Sequence, residues 1–303
     1  MRIAIASHIV LDRITSLDGA ITASFGGPSC YSSLVSRRFG FDVTLITKVG
    51  KDLPKELFEI LRKNKISLDS QRIVNSQTTR FDIIAKDDSR ELYLGVRCTP
   101  LTVEDIQQVN ADCWLASPVI DELPLEVLTE IRRVKGRKNF IMLDPQGYLR
   151  KVGPQGHISL RERLDLDLSG IAAIKVDRQE MAALTGGIVG MDGMRILQSK
   201  GIDFVISTEH HFFHLLHKNK HYWICMPEID TMDSTGTGDI LSASFSCAYL
   251  KEKDPMWAIC FGAGAVRAAL ETRQIGLDKI PSISNIEDSA SYFYNTLGFE
   301  YFS

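Results

Sequence analysis

The sequence lacks two features that would fix its location or its partners. No stretch of its 303 residues approaches the roughly 20 consecutive apolar residues that a membrane-spanning helix needs. Blocks of like charge are also missing, and 35 basic against 38 acidic residues give a formal net charge of -3. Nucleic-acid binding relies on a clustered positive excess. We therefore predict a cytoplasmic enzyme or binding protein with neither a membrane nor a nucleic acid as partner.

Cysteine pairs at metal-binding spacing are absent. None of the six cysteines forms a CxxC pair, which argues against a zinc site and against a thioredoxin-type motif. They are Cys30, Cys98, Cys113, Cys225, Cys247 and Cys260. We expect reduced and mostly buried thiols, because free cysteine behaves as a small apolar residue.

Two common glycine-rich phosphate motifs are also missing. The GxxxxGK[ST] pattern of the P-loop occurs nowhere in the chain. A dinucleotide fingerprint would follow the first predicted strand, but the chain reads Ser7-His8-Ile9-Val10 there. The second absence argues against a dinucleotide-dependent oxidoreductase.

What is present is an alternation of short strand-like runs with longer runs at helical spacing. The predicted strands are Ile3–Ser7, Asp42–Thr47, Cys113–Ala116, Asn139–Leu143, Ile171–Val176 and Asp203–Ser207. The predicted helices among them are Cys30–Phe39, Pro54–Asn64, Pro124–Lys135 and Arg178–Leu184. This order predicts an α/β fold, with a doubly wound and mostly parallel sheet flanked by helices.

Two segments break the alternation and read as strands without helices. Thr79–Ala85 and Glu91–Val96 flank a polar turn over 86–90, which predicts a β-hairpin. We predict a small β-rich lid of residues 13–29 and 70–97. It would be inserted into an α/β domain of residues 1–12, 30–69 and 98–303 that binds nucleotide and substrate. An exposed edge of the lid sheet raises the hypothesis of a homodimer through the lid.

The strongest functional signal precedes a predicted helix over Ile240–Leu250. There the chain reads Asp233-Ser234-Thr235-Gly236-Thr237-Gly238-Asp239. Glycines before a helix leave backbone N–H groups unpaired, and the helix dipole adds partial positive charge. The segment is therefore an anion site suited to phosphate. Asp239 fits either an N-terminal cap or a general base that takes a proton from an attacking hydroxyl.

This segment resembles the DTxGAGD signature of ribokinase-like carbohydrate kinases of the phosphofructokinase-B type. Ser234 stands where Thr is usual, and Thr237 stands where Ala is usual. Residues 26–28, which read Gly-Gly-Pro, and residues 50–52, which read Gly-Lys-Asp, are similar to the first signature region of the family. The resemblance covers nearly the whole chain in the right order. It implies a ribokinase-like fold and favours the base role for Asp239.

The resemblance also implies roles around the anion site. Asp239 would be the catalytic base for the acceptor hydroxyl. The backbone N–H groups of Gly236, Thr237 and Gly238 would form the hole for charge that develops on the transferred phosphoryl group. Asp233 would help to hold phosphate and metal on the nucleotide side, with a plain turn residue as the alternative.

Three further positions are implied to bind the nucleotide or its metal. Asp177 and Glu180 resemble the N-x-x-E motif, in which the Glu holds Mg²⁺ through water, although their spacing also fits a capping box. Thr208 would line the nucleotide phosphates, but the family's T-x-G-x-x-G has lost its glycines over Thr208–Phe213. Gly264 would border the adenine pocket, with helix packing as the alternative.

On the acceptor side, Asp12 falls where the family has a sugar-binding aspartate. Its carboxylate can accept hydrogen bonds from two adjacent hydroxyls, and Gly26 and Gly27 would let the chain approach a polyol closely. Cys30 stands where ribokinase-type members have a sugar-binding Asn, which argues against ribose. Gln146 follows a predicted strand at the edge where doubly wound sheets bind ligands.

The identity of the acceptor stays open between several sugar-like molecules. The combination of Gly-Gly-Pro-x-x-Tyr over residues 26–31 with Asp-Pro-Gln-Gly over residues 144–147 is more similar to inositol or cyclitol kinases. A nucleoside with Tyr31 stacked on its base is an alternative acceptor. A phosphorylated sugar is less favoured, because Arg80, Arg90 and Arg97 are scattered along the lid segment. We expect an ATP- and Mg²⁺-dependent kinase that acts on a hydroxyl. The rival hypothesis is a catalytically weak sugar- or nucleotide-binding protein of the same fold.

Overall fold

A computed structural model describes residues 1–86, 89–135, 139–209, 211–231 and 233–302. Asp87 and Asp88 of the predicted lid turn, and His210 of the predicted phosphate loop, lie outside these ranges. The helices are α1 (Pro28–Arg38), α2 (Lys55–Lys63), α3 (Leu125–Lys135), α4 (Gln146–Leu149), α5 (Arg178–Thr185), α6 (Gly190–Ser199), α7 (Thr237–Glu252), α8 (Pro255–Glu271) and α9 (Ile283–Thr296). In the described ranges none of these helices is long and apolar enough to cross a membrane.

The strands are numbered in the same way along the chain. They are β1 (Arg2–Ala6), β2 (Val10–Thr15), β3 (Ile21–Gly26), β4 (Asp42–Ile46), β5 (Val49–Gly50), β6 (Ile73–Val74), β7 (Thr79–Lys86), β8 (Ser89–Val96), β9 (Cys113–Ala116), β10 (Phe140–Leu143), β11 (Arg150–Val152), β12 (Ile158–Leu160), β13 (Ala173–Asp177), β14 (Phe204–Glu209), β15 (Phe212–His217), β16 (Lys220–Cys225) and β17 (Gly298–Tyr301).

A nine-stranded sheet forms the centre of the molecule, in the order β17-β16-β15-β14-β13-β10-β9-β1-β4. The six strands from β14 to β4 run parallel to one another. Their side chains are mostly apolar on both faces, as expected for parallel strands covered by helices on each side. In β1, Ile3 and Ile5 enter one hydrophobic core while Ala4 and Ala6 enter the other.

The helices divide between the two faces of this sheet. Helices α1, α2, α7, α8 and α9 contribute buried residues to the core that contains Ile3. Helices α3, α5 and α6 contribute to the opposite core, beside Ala4. The arrangement is the predicted doubly wound α/β fold. The sheet also continues beyond the predicted strands, because β15, β16 and β17 add antiparallel neighbours at one edge.

A separate four-stranded sheet has the order β3-β2-β7-β8. The predicted hairpin is its β7–β8 pair, and β2 joins it by parallel pairing with β7. Strand β2 begins at Val10, inside the segment assigned to the α/β domain. Val10, Phe81 and Ile83 of this sheet pack on Val119 and Ile120, which follow β9 of the nine-stranded sheet. The sheet therefore lies over the end of the parallel strands; its action as a lid stays a prediction.

Candidate functional site

A cleft of about 870 Å³ lies between the four-stranded sheet and the carboxyl ends of the parallel strands. This edge is where doubly wound sheets bind their ligands. Ten of the predicted site residues line the cleft: Asp12, Gly27, Gln146, Asp177, Glu180, Thr208, Gly236, Thr237, Gly238 and Asp239. Four lie outside its lining: Gly26, Cys30, Asp233 and Gly264.

The amino end of α7 opens directly into the cleft. Its N-cap is Gly236, in the left-handed region with φ 78°. A Cβ at this position would lie 2.3 Å from the ring of Tyr31, so both the backbone conformation and the space require glycine. No side chain caps this helix end. Thr237 N makes a long bond of 3.4 Å to the Ser234 carbonyl, and the N–H groups of Gly238 and Asp239 that follow it in the first turn are oriented to receive an anion.

Asp239 lies in the first turn of α7 and is buried, with a relative accessibility of 7%. It is not the cap, because Gly236 takes that position. Within the described residues its carboxylate makes no hydrogen bond or ion pair, whereas its backbone carbonyl accepts one from Ser32. Burial, with a smaller contribution from the nearby Asp144, raises the pKa of Asp239 to about 8 against the lowering effect of Lys175 and Arg150.

The loop before α7 is held by a buried ammonium group. Lys279 has no exposed surface, and its Nζ donates to the backbone carbonyl of Asp233 at 2.9 Å and lies 2.8 Å from Asp233 Oδ2. The same carboxylate accepts from the N–H groups of Thr235 and Gly276, each at 2.8 Å. Asp233 thus has both oxygens occupied by the protein. Its predicted contact with the nucleotide stays a prediction.

Lys175 is a site residue that the sequence analysis did not identify. Its Nζ donates to Asp144 Oδ2 at 3.1 Å and lies 3.7 Å from Glu180 Oε2. Burial alone lowers the pKa of Lys175, but Asp144, Glu180 and Asp177 outweigh it and raise the pKa above its usual value. A Cβ at Gly238 would lie 3.2 Å from this Nζ. The ammonium of Lys175, paired with Asp144, therefore lies beside the amino end of α7.

Asp177 and Glu180 form the capping box that their spacing predicts. Glu180 N donates to Asp177 Oδ1, and Asp177 N donates to Glu180 Oε2, both at 2.8 Å. Burial raises the pKa of Glu180 to about 7, while Lys175 lowers it. In the described ranges no three acidic, His or Cys side chains form a ready metal cage. Magnesium is commonly held by one or two carboxylates, substrate phosphates and water. The carboxylates of Asp177 and Glu180 fit this way of binding the metal.

The acceptor end of the cleft is built around Asp12. Burial raises the pKa of Asp12 to about 7, although Arg150 and Arg90 lower it. The carboxylate has no hydrogen-bond partner among the described side chains and backbone groups. A Cβ at Gly26 would lie 2.3 Å from Asp12 Oδ2, so glycine makes room for this carboxylate. Gln146 lines the same cleft, and its Oε1 accepts a hydrogen bond from Arg150 Nη2 at 2.8 Å.

Tyr31 and Cys30 lie behind this end of the cleft, on α1. The Tyr31 hydroxyl is buried and has no hydrogen-bond partner in the described ranges. A buried hydroxyl without a partner is costly, so this one is suited to a group on a ligand. Cys30 is fully buried, and burial raises the pKa of its thiol far above the usual range. The thiol is therefore protonated and has no exposed surface.

Around Thr208 the cleft lining is largely apolar, with His211 and Glu228 as polar members. Thr208 marks its border, and its far wall is formed by Phe213, Met226, Pro227, Ile229, Val266 and Leu270. Glu209, which follows Thr208, pairs with Arg178 across the strand ends. Gly264 of α8 lies instead against α9, where a Cβ would approach Ala290 N to 2.7 Å. The helix-packing alternative describes its contacts, and its nucleotide role stays a prediction.

Comparison with known proteins gives matches over most of the length of the chain. A model of the pfkB family of carbohydrate kinases matches residues 5–281. A cytidine kinase of Thermococcus kodakarensis is 21% identical over 278 residues, which span 89% of this chain and 96% of that protein. At this level of identity, the activity of that relative does not transfer directly to this chain.

Two solved structures have the same fold. A pyrophosphate-dependent kinase in the ribokinase family, solved with a pyrophosphate analogue and myo-inositol, superposes with a TM-score of 0.79 at 21% identity, covering 94% of this chain and 99% of that one. Ribokinase from Thermotoga maritima gives a TM-score of 0.76 at 17% identity, covering 96% of this chain and 99% of that one. These likenesses confirm the predicted ribokinase-like fold.

Proposed function

Because this chain belongs to the pfkB family of carbohydrate kinases, we propose that it transfers the terminal phosphoryl group of ATP to a hydroxyl of a sugar-like acceptor. Asp239 takes the proton of that hydroxyl as the new O–P bond forms. The bond between the phosphorus and the leaving oxygen of ADP breaks in the same displacement. The N–H groups at the start of α7 stabilise the charge on the transferred group.

The observation that carries this proposal is the state of Asp239. It is a buried carboxylate without a bonding partner in the described ranges, in the first turn of a helix whose amino end is uncapped. Its pKa of about 8 lies near the pH at which a general base is most effective. A binding protein would gain nothing from such a group, because a buried unpaired carboxylate is costly. The uncapped helix end argues in the same direction.

The remaining cleft residues fit the two substrates of such a reaction. Asp12 would accept hydrogen bonds from acceptor hydroxyls, and the Tyr31 hydroxyl would donate to the ligand. Glu180 would hold Mg²⁺ through water, with Asp177 orienting it, and the metal would neutralise donor phosphate charge. Lys175 would supply further positive charge beside the anion hole.

The donor is proposed to be ATP because of the largely apolar part of the cleft lining around Thr208. A wall that includes Phe213, Met226 and Leu270 offers a nucleobase the apolar contact that such sites commonly use. Pyrophosphate has no apolar part and would leave that wall unused. It is nevertheless the donor named for one kinase of the same fold, so both donors belong in the test.

A phosphoryl-transfer screen tests the proposal. ATP and pyrophosphate would each be supplied with Mg²⁺ against myo-inositol, ribose, ribose 5-phosphate, fructose, gluconate and cytidine, with products followed by ³¹P NMR. We expect transfer from ATP to at least one acceptor, and none from pyrophosphate. Tight ATP binding without transfer to any acceptor would favour the binding-protein alternative. Transfer from pyrophosphate alone would overturn the donor assignment.

A further inference from the structure

One positive charge of the four-stranded sheet differs from the others in its contacts. The other basic side chains described in this sheet and at its ends pair with carboxylates: Arg13 with Asp82, Arg80 with Asp52, Lys86 with Glu91, and Arg97 with Asp121. Arg90, on β8, makes no ion pair or hydrogen bond with any described residue, and it lines the cleft. Among the described residues, the arginines of this sheet and its ends thus separate into three that pair with carboxylates, Arg13, Arg80 and Arg97, and one, Arg90, that lines the cleft without such a partner.

A second guanidinium faces the same end of the cleft with only neutral partners. Arg150 Nη1 donates to the backbone carbonyl of Val119 at 2.6 Å, and Nη2 donates to Gln146 Oε1 at 2.8 Å. The guanidinium carbon lies 5.6 Å from the centre of the Phe81 ring. These contacts fix the plane of the group but leave its charge uncompensated by a direct ion pair.

The two guanidiniums influence each other and Asp12. Burial lowers the pKa of Arg150 and the nearby charge of Arg90 lowers it further, whereas the carboxylates of Glu180, Asp144 and Glu122 raise it without contacting the guanidinium directly. Both arginines also lower the pKa of Asp12, which burial nevertheless raises to about 7. At neutral pH Asp12 is therefore only partly ionised and is a weak counter-ion for two cations. An oxyanion bound between the arginines would remove their mutual repulsion.

We infer that the acceptor already carries a phosphate or carboxylate group, which Arg90 and Arg150 bind while Asp12 binds its hydroxyls. Planar guanidiniums match both oxyanions in a bidentate manner. The inference rests on the proposed kinase function, since it names the acceptor class of that site. It makes Arg90 a specificity-determining residue that the four-stranded sheet contributes to the cleft.

Matched acceptor pairs test this inference, with ATP as donor. Ribose would be compared with ribose 5-phosphate, and glucitol with gluconate, in wild type, Arg90→Gln and Arg97→Gln. We expect wild type to prefer the anionic member of at least one pair in kcat/KM by about 10-fold or more, and Arg90→Gln to reduce that ratio by about 10- to 100-fold. Arg97→Gln is the matched control, because Arg97 pairs with Asp121 away from the cleft lining, and it should keep the ratio.

Three outcomes would overturn the inference while leaving the kinase function intact. They are a preference for the neutral member of both pairs, an equal loss on both members in Arg90→Gln, and a change confined to the KM of ATP. The last would assign the arginines to the donor phosphates instead.

Calorimetric titration of ribose 5-phosphate and of inorganic phosphate without donor provides an independent readout. We expect at least one of the two to bind wild type, and Arg90→Gln to weaken it by about 10-fold or more. Such binding, weakened in Arg90→Gln but without transfer from ATP or pyrophosphate, would support an oxyanion site at Arg90 and Arg150 and contradict the kinase proposal. Neither binding nor transfer would refute both.

Discussion

At the scale of single residues, the cleft concentrates carboxyl groups that hold their protons unusually tightly. Burial raises the pKa of Asp12 and Glu180 to about 7 and that of Asp239 to about 8. A carboxyl whose pKa is higher in the folded state binds its proton more tightly there than in the unfolded chain. These groups therefore make the free energy of unfolding fall as pH rises from the ordinary carboxyl range towards their folded values. Function, rather than stability, accounts for keeping them.

Lys279 is predicted to be a positioning residue for the anion hole. Its ammonium fixes both the carbonyl and the carboxylate of Asp233, and so the loop that leads to Gly236. Lys279→Ala should lower kcat by about 10- to 1000-fold with little change in acceptor KM, because misplaced anion-hole donors typically cost this much. Steady-state kinetics would measure the change.

Chemical rescue distinguishes this role from a merely structural one. Added propylamine should restore part of the kcat of Lys279→Ala, since its ammonium can occupy the vacated space beside Asp233. Lys55→Ala, at an exposed position on α2, is the control and should behave as wild type with or without amine. A parallel loss of kcat and folding, without any rescue, would contradict the positioning role.

The sequence could identify part of this site and not the rest, for physical reasons. Asp239, Gly236 and Gly238 are adjacent to one another in a recognisable glycine-rich segment. Lys175 and Lys279 have no such local signature, because each meets its carboxylate partner only through the fold: Asp144 is 31 residues from Lys175, and Asp233 is 46 residues from Lys279. No local pattern identifies a partner at that separation.

At the scale of elements, the packing of α8 on α9 depends on Gly264. A Cβ there would lie 2.7 Å from Ala290 N and 3.0 Å from Ala290 Cα, which are backbone atoms that cannot move alone. Gly264→Ala should lower the free energy of unfolding by about 1–3 kcal/mol through overpacking. Urea denaturation would measure the change in the free energy of unfolding. Gly201→Ala is not a suitable control, because φ there is +95° and an alanine would be strained for that reason alone.

A better control is Glu287→Ala at an exposed position of α9, which should change stability little. The kinetic readout separates the two interpretations of Gly264. If the glycine serves packing, Gly264→Ala protein that remains folded should keep the wild-type KM for ATP. A raised KM for ATP at unchanged stability would instead support the predicted place beside the adenine.

Strand assignment from the sequence succeeded for the parallel part of the sheet and stopped at β14. Buried parallel strands are short and apolar on both faces, as in Cys113–Ala116, so they stand out from their surroundings. Strands β15 to β17 carry alternating histidine, lysine and aromatic residues, and β17 lies at a sheet edge with Phe299 and Tyr301 exposed. An edge strand with exposed aromatics has no such signature.

At the scale of the whole molecule, two sheets contribute different residues to one cleft. The nine-stranded sheet places Asp144, Asp177 and the start of α7 at one edge, and the four-stranded sheet brings Asp12 and Arg90 to face them. The division of the chain into an α/β domain and a lid, and a homodimer through that lid, stay predictions. The fold could be predicted because its signature residues are spread along nearly the whole chain, whereas the acceptor depends on side-chain pairing that only the fold decides.

The central claim, that Asp239 is the general base of a phosphoryl transfer, is tested most directly by the pH dependence of kcat/KM in wild type and Asp239→Asn. Wild-type activity should rise with pH and level off above a pKa near 8, as the buried carboxyl loses its proton. Asp239→Asn should lose about 100-fold or more in rate and lose this ascending limb, while still binding ATP. The exposed control Asp288→Asn should match wild type. An Asp239→Asn variant with the wild-type rate and the wild-type pH profile would contradict the account.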